Sequence, residues 1–328
     1  MAGNIVVITG ASAGIGHAAA VAFGRRGWRV ALLARGTERL DGAARAVVAA
    51  GGEAMTLVAD VADPAQVDAA AARVEQEWGP IDVWVNNAMA TLFCDFARTG
   101  PEDFRRATDV TYLGAVWGTR AALRHMRPRD RGTIVQVGSA LAYRSIPLQA
   151  AYCGAKSALR GFTDSLRSEL IHDRSRIHLS MVHLSAFNTP QFDWARNCMG
   201  RRPRPVGKIF QPEIAAEGIY WAATHRRREL WVGFPAALAI IGTRFLPAYL
   251  DRKLAFSAYE GQMTAEADPP TRPDNLHAPP PGSQGAHGRF DREAVDRSPE
   301  LWLGTHRRAM LLVAGIGLLI LAGLLAAA

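Results

Sequence analysis

A strand-like run at the start of the chain passes straight into Thr9-Gly10-Ala11-Ser12-Ala13-Gly14-Ile15-Gly16, and an apolar helical stretch follows at once. Few folds accommodate that order. Glycines between a buried strand and a helix let the backbone turn sharply. They also let it approach a pyrophosphate closely enough for the free N–H groups at the helix start to bind its charge. A strand-to-helix loop can use glycine for the tight turn alone, so the motif acquires meaning only from what surrounds it.

What surrounds it is a repeated alternation. From residue 1 to about 235, short apolar runs alternate with longer segments of helical period, the pattern of βαβ units around a parallel sheet. Strands are predicted at Ile5–Thr9, Arg29–Ala34, Ala54–Val58, Val83–Asn86, Gly132–Val137, His178–His183 and Leu230–Gly233. Helical stretches at Ile15–Gly24, Thr37–Ala50, Pro64–Trp78 and Ala150–Ile171 carry alanine or leucine at three-to-four spacing. The expectation is an α/β fold, a doubly wound parallel sheet of about seven strands, occupying residues 1–250.

Composition narrows the function. Hydrophobic residues make up 49% of the 328, enough for a sizeable core, which excludes a chain disordered throughout. The net charge of +8 rests on arginine, since Lys156, Lys208 and Lys253 are the only lysines. The arginines are scattered and form no aromatic-plus-basic array, so nucleic-acid binding is not expected. Cys94, Cys153 and Cys198 show neither CxxC spacing nor a histidine at metal-ligand spacing, and they read as reduced thiols with no metal site. The N-terminus enters the first strand without the regions of a signal peptide, which places the folded domain in the cytosol.

Beyond residue 250 the character changes. Residues 251–305 include Asp268-Pro269-Pro270-Thr271-Arg272-Pro273 and Ala278-Pro279-Pro280-Pro281-Gly282, too rich in proline for helix or central strand, and read as an extended linker draped over the domain. Residues 306–328 begin His306-Arg307-Arg308 and continue as twenty residues, Ala309 to Ala328, without a charged or strongly polar side chain. As a helix these would span roughly 30 Å, the thickness of a bilayer core, with no polar face for water. A single C-terminal transmembrane helix is therefore expected, and the flanking arginines orient the catalytic domain to the cytoplasm. Phe234–Leu250, apolar but interrupted by Arg244 and Pro247, reads either as a core helix or as an interfacial helix lying on a membrane beside His225–Arg228.

The chemistry concentrates at Tyr152 and Lys156. Four residues apart on a helical segment, they emerge on one face. A nearby ammonium favours phenolate over phenol and brings the tyrosine toward proton exchange at neutral pH. Ser139 follows a buried strand and could hydrogen-bond a substrate oxygen. The second strand ends Leu32-Leu33-Ala34-Arg35, where an acidic side chain would bind the ribose hydroxyls of NAD. Ala34 cannot do so, while Arg35 offers a guanidinium to a 2′-phosphate, which favours NADP(H).

The Gly-x3-Gly-x-Gly spacing, Asp60-Val61, Asn86-Asn87-Ala88, Ser139 and Tyr152-Cys153-Gly154-Ala155-Lys156 occur in the order and spacing of the short-chain dehydrogenase/reductase family, which residues 4 to 235 resemble. The resemblance implies a Rossmann fold in which Gly10, Ser12, Gly14, Ile15, Gly16, Asn87 and Thr189 contact the cofactor. It implies that Asp60 meets the adenine amino group and Val61 the adenine face; the competing reading of Asp60 is a helix cap. It implies that Tyr152 is the general acid/base, that Lys156 activates it and holds the nicotinamide ribose, and that Ser139 binds the substrate oxygen. Gln191–Arg204 falls where the family has a mobile lid, with Phe192, Trp194 and Met199 as its apolar inner surface or as core. A dimer or tetramer through the helices of the central and Tyr–Lys segments is implied as well. Three departures stand out. Thr111 replaces the asparagine of the central helix, where its hydroxyl could hold a water leading protons to Lys156. Met89 stands where the family has glycine, and the Pro-Gly before Thr189 is missing. His17 and His183 read as structural.

Together these features predict an NADP(H)-dependent oxidoreductase interconverting a ketone or aldehyde and an alcohol, with an apolar or lipid-like substrate and a membrane tether. The alternative is a membrane-tethered NADP(H)-binding protein without turnover. A nucleotide-sugar epimerase or dehydratase would need a larger C-terminal substrate domain than this proline-rich tail.

Overall fold

A computed structural model describes residues 3–269, 271–282 and 285–306. Seven strands, β1 (Ile5–Thr9), β2 (Arg29–Ala34), β3 (Glu53–Val58), β4 (Val83–Asn86), β5 (Thr133–Ser139), β6 (His178–Leu184) and β7 (Glu229–Val232), form one sheet. All of its pairings are parallel, in the order β7-β6-β5-β4-β1-β2-β3. Each strand matches a predicted apolar run to within two residues at either end. The fifth runs two residues further than its pattern and carries Ser139 at its tip.

Alternation along a strand sends neighbouring side chains to opposite faces. On β1, Val6 and Ile8 join one core layer with helices α1 (Gly14–Gly24), α2 (Thr37–Ala49) and α8 (Pro212–Thr224). Ile5 and Val7 join the other, with α3 (Pro64–Glu77), α4 (Pro101–Thr108), α5 (Gly114–Met126) and α6 (Ala150–His172). Covering both faces explains why the strands read as near-continuous apolar runs. The predicted start of α3 is confirmed by its cap: the Asp63 carboxylate accepts from the N–H groups of Ala65 and Gln66, with Pro64 at the first helical position. Asp60 is therefore not the cap of this helix.

The chain order reverses between β1 and β4, so a crevice opens at the carboxyl ends of these strands. A helical turn α7 (Gln191–Trp194) and a segment to Phe210 overhang it. Beyond β7 come α9 (Phe234–Phe245) and α10 (Pro247–Gly261), then an extended segment that returns across the crevice to α11 (Pro299–Thr305). Residue 250 thus lies within α10, and the proline-rich stretch is hydrogen-bonded along the domain. Among the described residues no helix is long and apolar enough to cross a membrane. The candidate span Ala309–Ala328 lies outside them.

The expectation of three reduced thiols is corrected. Cys94 and Cys198 form a disulfide, with Cα atoms 4.9 Å apart. The two lie 104 residues apart in sequence, so no local spacing announces the bond. They meet because Leu92–Phe93 pairs in parallel with Arg196–Asn197, and Cys198 N–H donates to the Phe93 carbonyl at 2.8 Å. Cys153 is buried and free. The bond fastens the overhang to the edge of the crevice and closes a long loop, for which about 2–5 kcal/mol of stabilisation is ordinary. Thiol titration of unfolded, unreduced protein should therefore count one cysteine, and reductant or Cys198→Ser should lower the melting temperature; a count of three with no thermal shift would contradict the bond.

Candidate active site

The crevice begins with the glycine loop. Gly10 has φ +65°, and a Cβ there would stand 2.7 Å from the Cα of Ala88, so only glycine fits between the ends of β1 and β4. The closeness is enforced by side chains. The Thr9 hydroxyl accepts from the N–H groups of Asn87 and Ala88, both at 3.0 Å, and donates to the Val85 carbonyl. The Asn87 amide donates to the carbonyls of Thr9 and Gly10 at 3.0 and 3.2 Å. Asn87 thus lines the crevice and also clamps the loop that the sequence assigned to phosphate binding. Gly10, Ser12, Gly14, Ile15, Asp60, Val61, Met89 and Thr189 line the same cleft, with Thr189 resting on Gly14. Gly16 faces the Gly10 carbonyl and the Asn87 amide without room for a side chain. This shape, with backbone N–H groups at the start of α1, fits a dinucleotide pyrophosphate.

At the adenosine end, Arg35, Arg39 and Arg106 converge. Asp60 pairs with Arg106 at 2.6 Å and accepts from Ala62 N–H, so its carboxylate is held beside the cleft. The Arg35 guanidinium donates to the carbonyls of Asn275, Leu276 and His277. Arg39 donates to those of Pro281 and Gly282 and lies over the Trp194 ring at 4.3 Å. Arg106 donates to the Leu276 carbonyl, and Gly14 N–H to that of Gly285. The proline-rich segment is thus a strap along the cleft, and Pro279 and Pro280 form part of its wall. Burial and the neighbouring Arg106 push the Arg35 guanidinium below its ordinary value. Sequence reasoning named Arg35 and expected the proline-rich segment to drape over the domain, but it pointed to neither Arg39 nor Arg106 nor the segment's path along the cleft. The available signal was the Arg35/Arg39 spacing across the start of a helix.

At the carboxyl end of β5, that strand and α6 bring Ser139, Tyr152 and Lys156 together. Lys156 is 2% exposed, and its Nζ donates to the Val137 carbonyl at 2.6 Å while lying 5.7 Å from the Tyr152 ring centre. Burial pulls its ammonium down from 10.5 to about 8. Half-buried Tyr152 has its phenol pushed above the ordinary value by burial, against the pull of a hydrogen bond with Ser139. The downward shift expected from Lys156 does not dominate. Ser139 Oγ also accepts from Leu141 N–H at 3.1 Å. Behind it, fully buried His183 contacts the Ser139 carbonyl through Nδ1 at 3.3 Å, its pKa lowered to about 4 chiefly by burial. A neutral His183 donating there supports the tip of β5, in keeping with a structural reading.

Thr111 lies in a π-helical turn, Asp109–Leu113, an irregularity common at functional sites. Its hydroxyl accepts from Ala90 N–H at 2.9 Å and donates to the Ala90 carbonyl at 2.8 Å. Thr111 thus braces the loop after β4, and with its one proton committed to Ala90 it can offer a water only its remaining lone pair. Phe192 and Trp194 are buried, Phe192 between Phe93 and Phe290.

Comparison with known proteins agrees with this geometry. The family model described as short chain dehydrogenase matches residues 4–197. The uncharacterized oxidoreductase YxnA of Bacillus subtilis is 32% identical over 319 residues, 95% of this chain and 88% of that protein. A metagenomic short-chain oxidoreductase solved in complex with NADP is 29% identical, with a TM-score of 0.60 over 71% of this chain and 97% of that one. An alcohol dehydrogenase from Thermococcus sibiricus, complexed with 5-hydroxy-NADP, is 26% identical with a TM-score of 0.61, covering 70% and 95%.

Two outcomes follow for the apo protein. Thr111→Val should cost about 1–3 kcal/mol by leaving the Ala90 amide and carbonyl unpaired, with Thr111→Ser close to wild type in chemical denaturation. Because Lys156 titrates lower folded than unfolded, the unfolded chain binds the extra proton between pH 8 and 10.5. Stability should rise across that window, by ~3 kcal/mol from this group, and a Lys156→Met variant should lack that rise.

Proposed function

The chain is a member of the short-chain dehydrogenase family, and from that premise we propose that it is an NADP(H)-dependent oxidoreductase interconverting a ketone or aldehyde and an alcohol. The observation that carries the reading is the convergence of Ser139, Tyr152 and Lys156 at the carboxyl end of β5, two strands along the sheet from the glycine loop that follows β1. The bound cofactor supplies or accepts the hydride. The protein handles the proton and the orientation. Ser139 Oγ holds the substrate oxygen beside the Tyr152 hydroxyl, and that hydroxyl gives its proton to the oxygen in reduction or takes it in oxidation. A phenol kept neutral by burial is set up as the donor. Lys156, charged below about 8, lies close enough to stabilise the phenolate left behind.

Preference for NADP(H) rests on Arg35, Arg39 and Arg106. Arg106 is paired with Asp60, Arg35 lies near the same carboxylate and Arg39 near that of Glu38, and backbone carbonyls occupy much of their remaining donor capacity. A 2′-phosphate is a stronger acceptor than a carbonyl and would exchange for it. Met89 and Val110 in the cleft wall support an apolar or lipid-like substrate, while Phe93, Phe192 and Phe290 pack on one another inside the overhang. The sequence Ala309–Ala328 supports a single-pass C-terminal anchor, with Arg307 and Arg308 keeping the domain on the cytoplasmic side. Self-association through α5 and α6 belongs to the same reading, on family grounds.

Tyr152→Phe should lower kcat/KM for NADPH-dependent reduction of apolar ketones by about 10²-fold or more, without loss of NADPH binding; a rate equal to wild type removes the mechanism and favours a binding protein without turnover. For the wild type, kcat/KM for reduction should be level below about pH 8 and fall above it as Lys156 loses its charge. Arg35→Ala should raise the KM for NADPH roughly tenfold or more while leaving that for NADH nearly unchanged, since a charge-assisted hydrogen bond contributes about 1.5–3 kcal/mol.

A further inference from the structure

The chain carries an apolar surface that neither its core nor its active site uses. On α9 the outward stripe is Phe234, Leu238, Ile241 and Phe245, at spacings of four, three and four. The inward face holds buried Ala236 and Ile240. A surface helix ordinarily turns its polar side to water, and this one turns bulky apolar side chains outward, with Leu238 61% and Phe245 73% exposed. The surface continues into α10 through exposed Leu246, Tyr249 and Phe256, the last 79% exposed.

Cations predominate on this face, because the two acidic side chains of α10 are ion-paired with other segments. Residues 234–250 contain no acidic side chain and include Arg244. On α10, Arg252 and Lys253 stand between Tyr249 and Phe256, and Lys253 lies 5.9 Å from the Tyr249 ring. Asp251 is engaged by Arg144, and Glu260 by Arg201 at 2.8 Å. The surface also meets the end of the described chain. The backbone N–H of Phe234 donates to Glu300 at 2.6 Å, which puts α11, with exposed Trp302 and Leu303, at the head of α9. The chain then continues as His306-Arg307-Arg308 and the twenty apolar residues. On its inner side α9 packs against the turn Ala140–Ala142, directly after Ser139.

We propose that the exposed face of α9 and α10 docks on an anionic phospholipid bilayer, with Phe245 and Phe256 inserted among the lipids and Arg244, Arg252 and Lys253 at the headgroups. Apolar residues interleaved with cations are what an interfacial helix presents, and each such cation adds about fivefold to affinity for an anionic surface. Docking there places the tip of β5 next to the membrane, where an apolar substrate would be delivered. The contact is separate from the tail anchor proposed above, and the two fail separately.

The test uses the full chain in nanodiscs holding one copy each, made of phosphatidylcholine with or without phosphatidylserine. A nitrobenzoxadiazole dye is placed through Phe245→Cys or Phe256→Cys, and through Val48→Cys on α2, exposed beyond the opposite edge of the sheet. The native cysteines are buried or disulfide-linked and stay unlabelled. The expected result is a blue shift and loss of iodide quenching at 245 and 256, strongest with phosphatidylserine and absent at 48. Reversing the three cations to glutamate should diminish the shift. Leu318→Arg with Leu321→Arg should weaken the tail while the shift at 245 on phosphatidylserine vesicles persists. A nanodisc-bound chain whose dyes at 245 and 256 remain quenched by iodide overturns the proposal and leaves the tail anchor standing. A shift that appears only when two copies share a disc, or equally in detergent at rising protein concentration, also overturns it and makes the face a self-association surface.

Discussion

The junction between the ends of β1 and β4 is the constraint on which the site depends. One threonine hydroxyl, that of Thr9, takes two backbone donors from the neighbouring strand's exit, and one asparagine amide, that of Asn87, returns two donors to the loop. Net hydrogen-bond energies are individually modest, about 1 kcal/mol each. Their consequence is geometric. They hold Gly10 against Ala88 at a separation no side chain could share, and so fix where the loop's N–H groups point. Thr111 braces the same exit from the far side through Ala90, which ties the first turn of the cofactor cleft to the central helix.

The strap is the second determinant, and it works through backbone chemistry. An extended proline-rich segment makes few internal hydrogen bonds, so most of its carbonyls must find donors elsewhere. Here they find the guanidiniums of Arg35, Arg39 and Arg106, of which Arg106 is also paired with Asp60. The arrangement satisfies both partners and closes the adenosine end of the cleft. It also explains why a stretch unable to form helix or sheet is nevertheless tightly held: Arg272, Asn275, Arg289 and Phe290 all hydrogen-bond the overhang or the turn at Asn188.

The sheet was legible in the sequence because a strand buried on both faces must be apolar almost throughout, and each βα unit repeats that signal. The Asp63-Pro64 cap and the glycine loop were legible for a similar reason, since local backbone geometry demands those residue types at fixed offsets. The Cys94–Cys198 bond, the strap's grip on Arg35 and the bracing by Thr111 were not. Each joins segments distant in sequence through side chains, such as cysteine, arginine and threonine, that are common everywhere and carry no periodic pattern. The outward apolar stripe of α9 was half visible. Phe234–Leu250 could be seen to be apolar, but which face would be covered depends on the position of the turn after Ser139, which only the fold supplies.

The electrostatics of the Tyr–Lys pair refine what the spacing alone suggested. Four-residue spacing puts both groups on one helix face, and from that an ammonium lowering a phenol's pKa is the natural expectation. Burial acts on both groups in the same sense, disfavouring phenolate and ammonium alike. At separations of several ångströms, with the ammonium bound to the Val137 carbonyl, attraction does not overcome that penalty. The resting site therefore holds a protonated phenol beside a lysine titrating near 8, a combination suited to giving a proton to a developing alkoxide. In the proposed reaction, the negative charge formed on Tyr152 as the proton leaves is what makes the Lys156 ammonium valuable. Its stabilisation is largest at that moment, when charge develops on a phenol that burial otherwise keeps neutral.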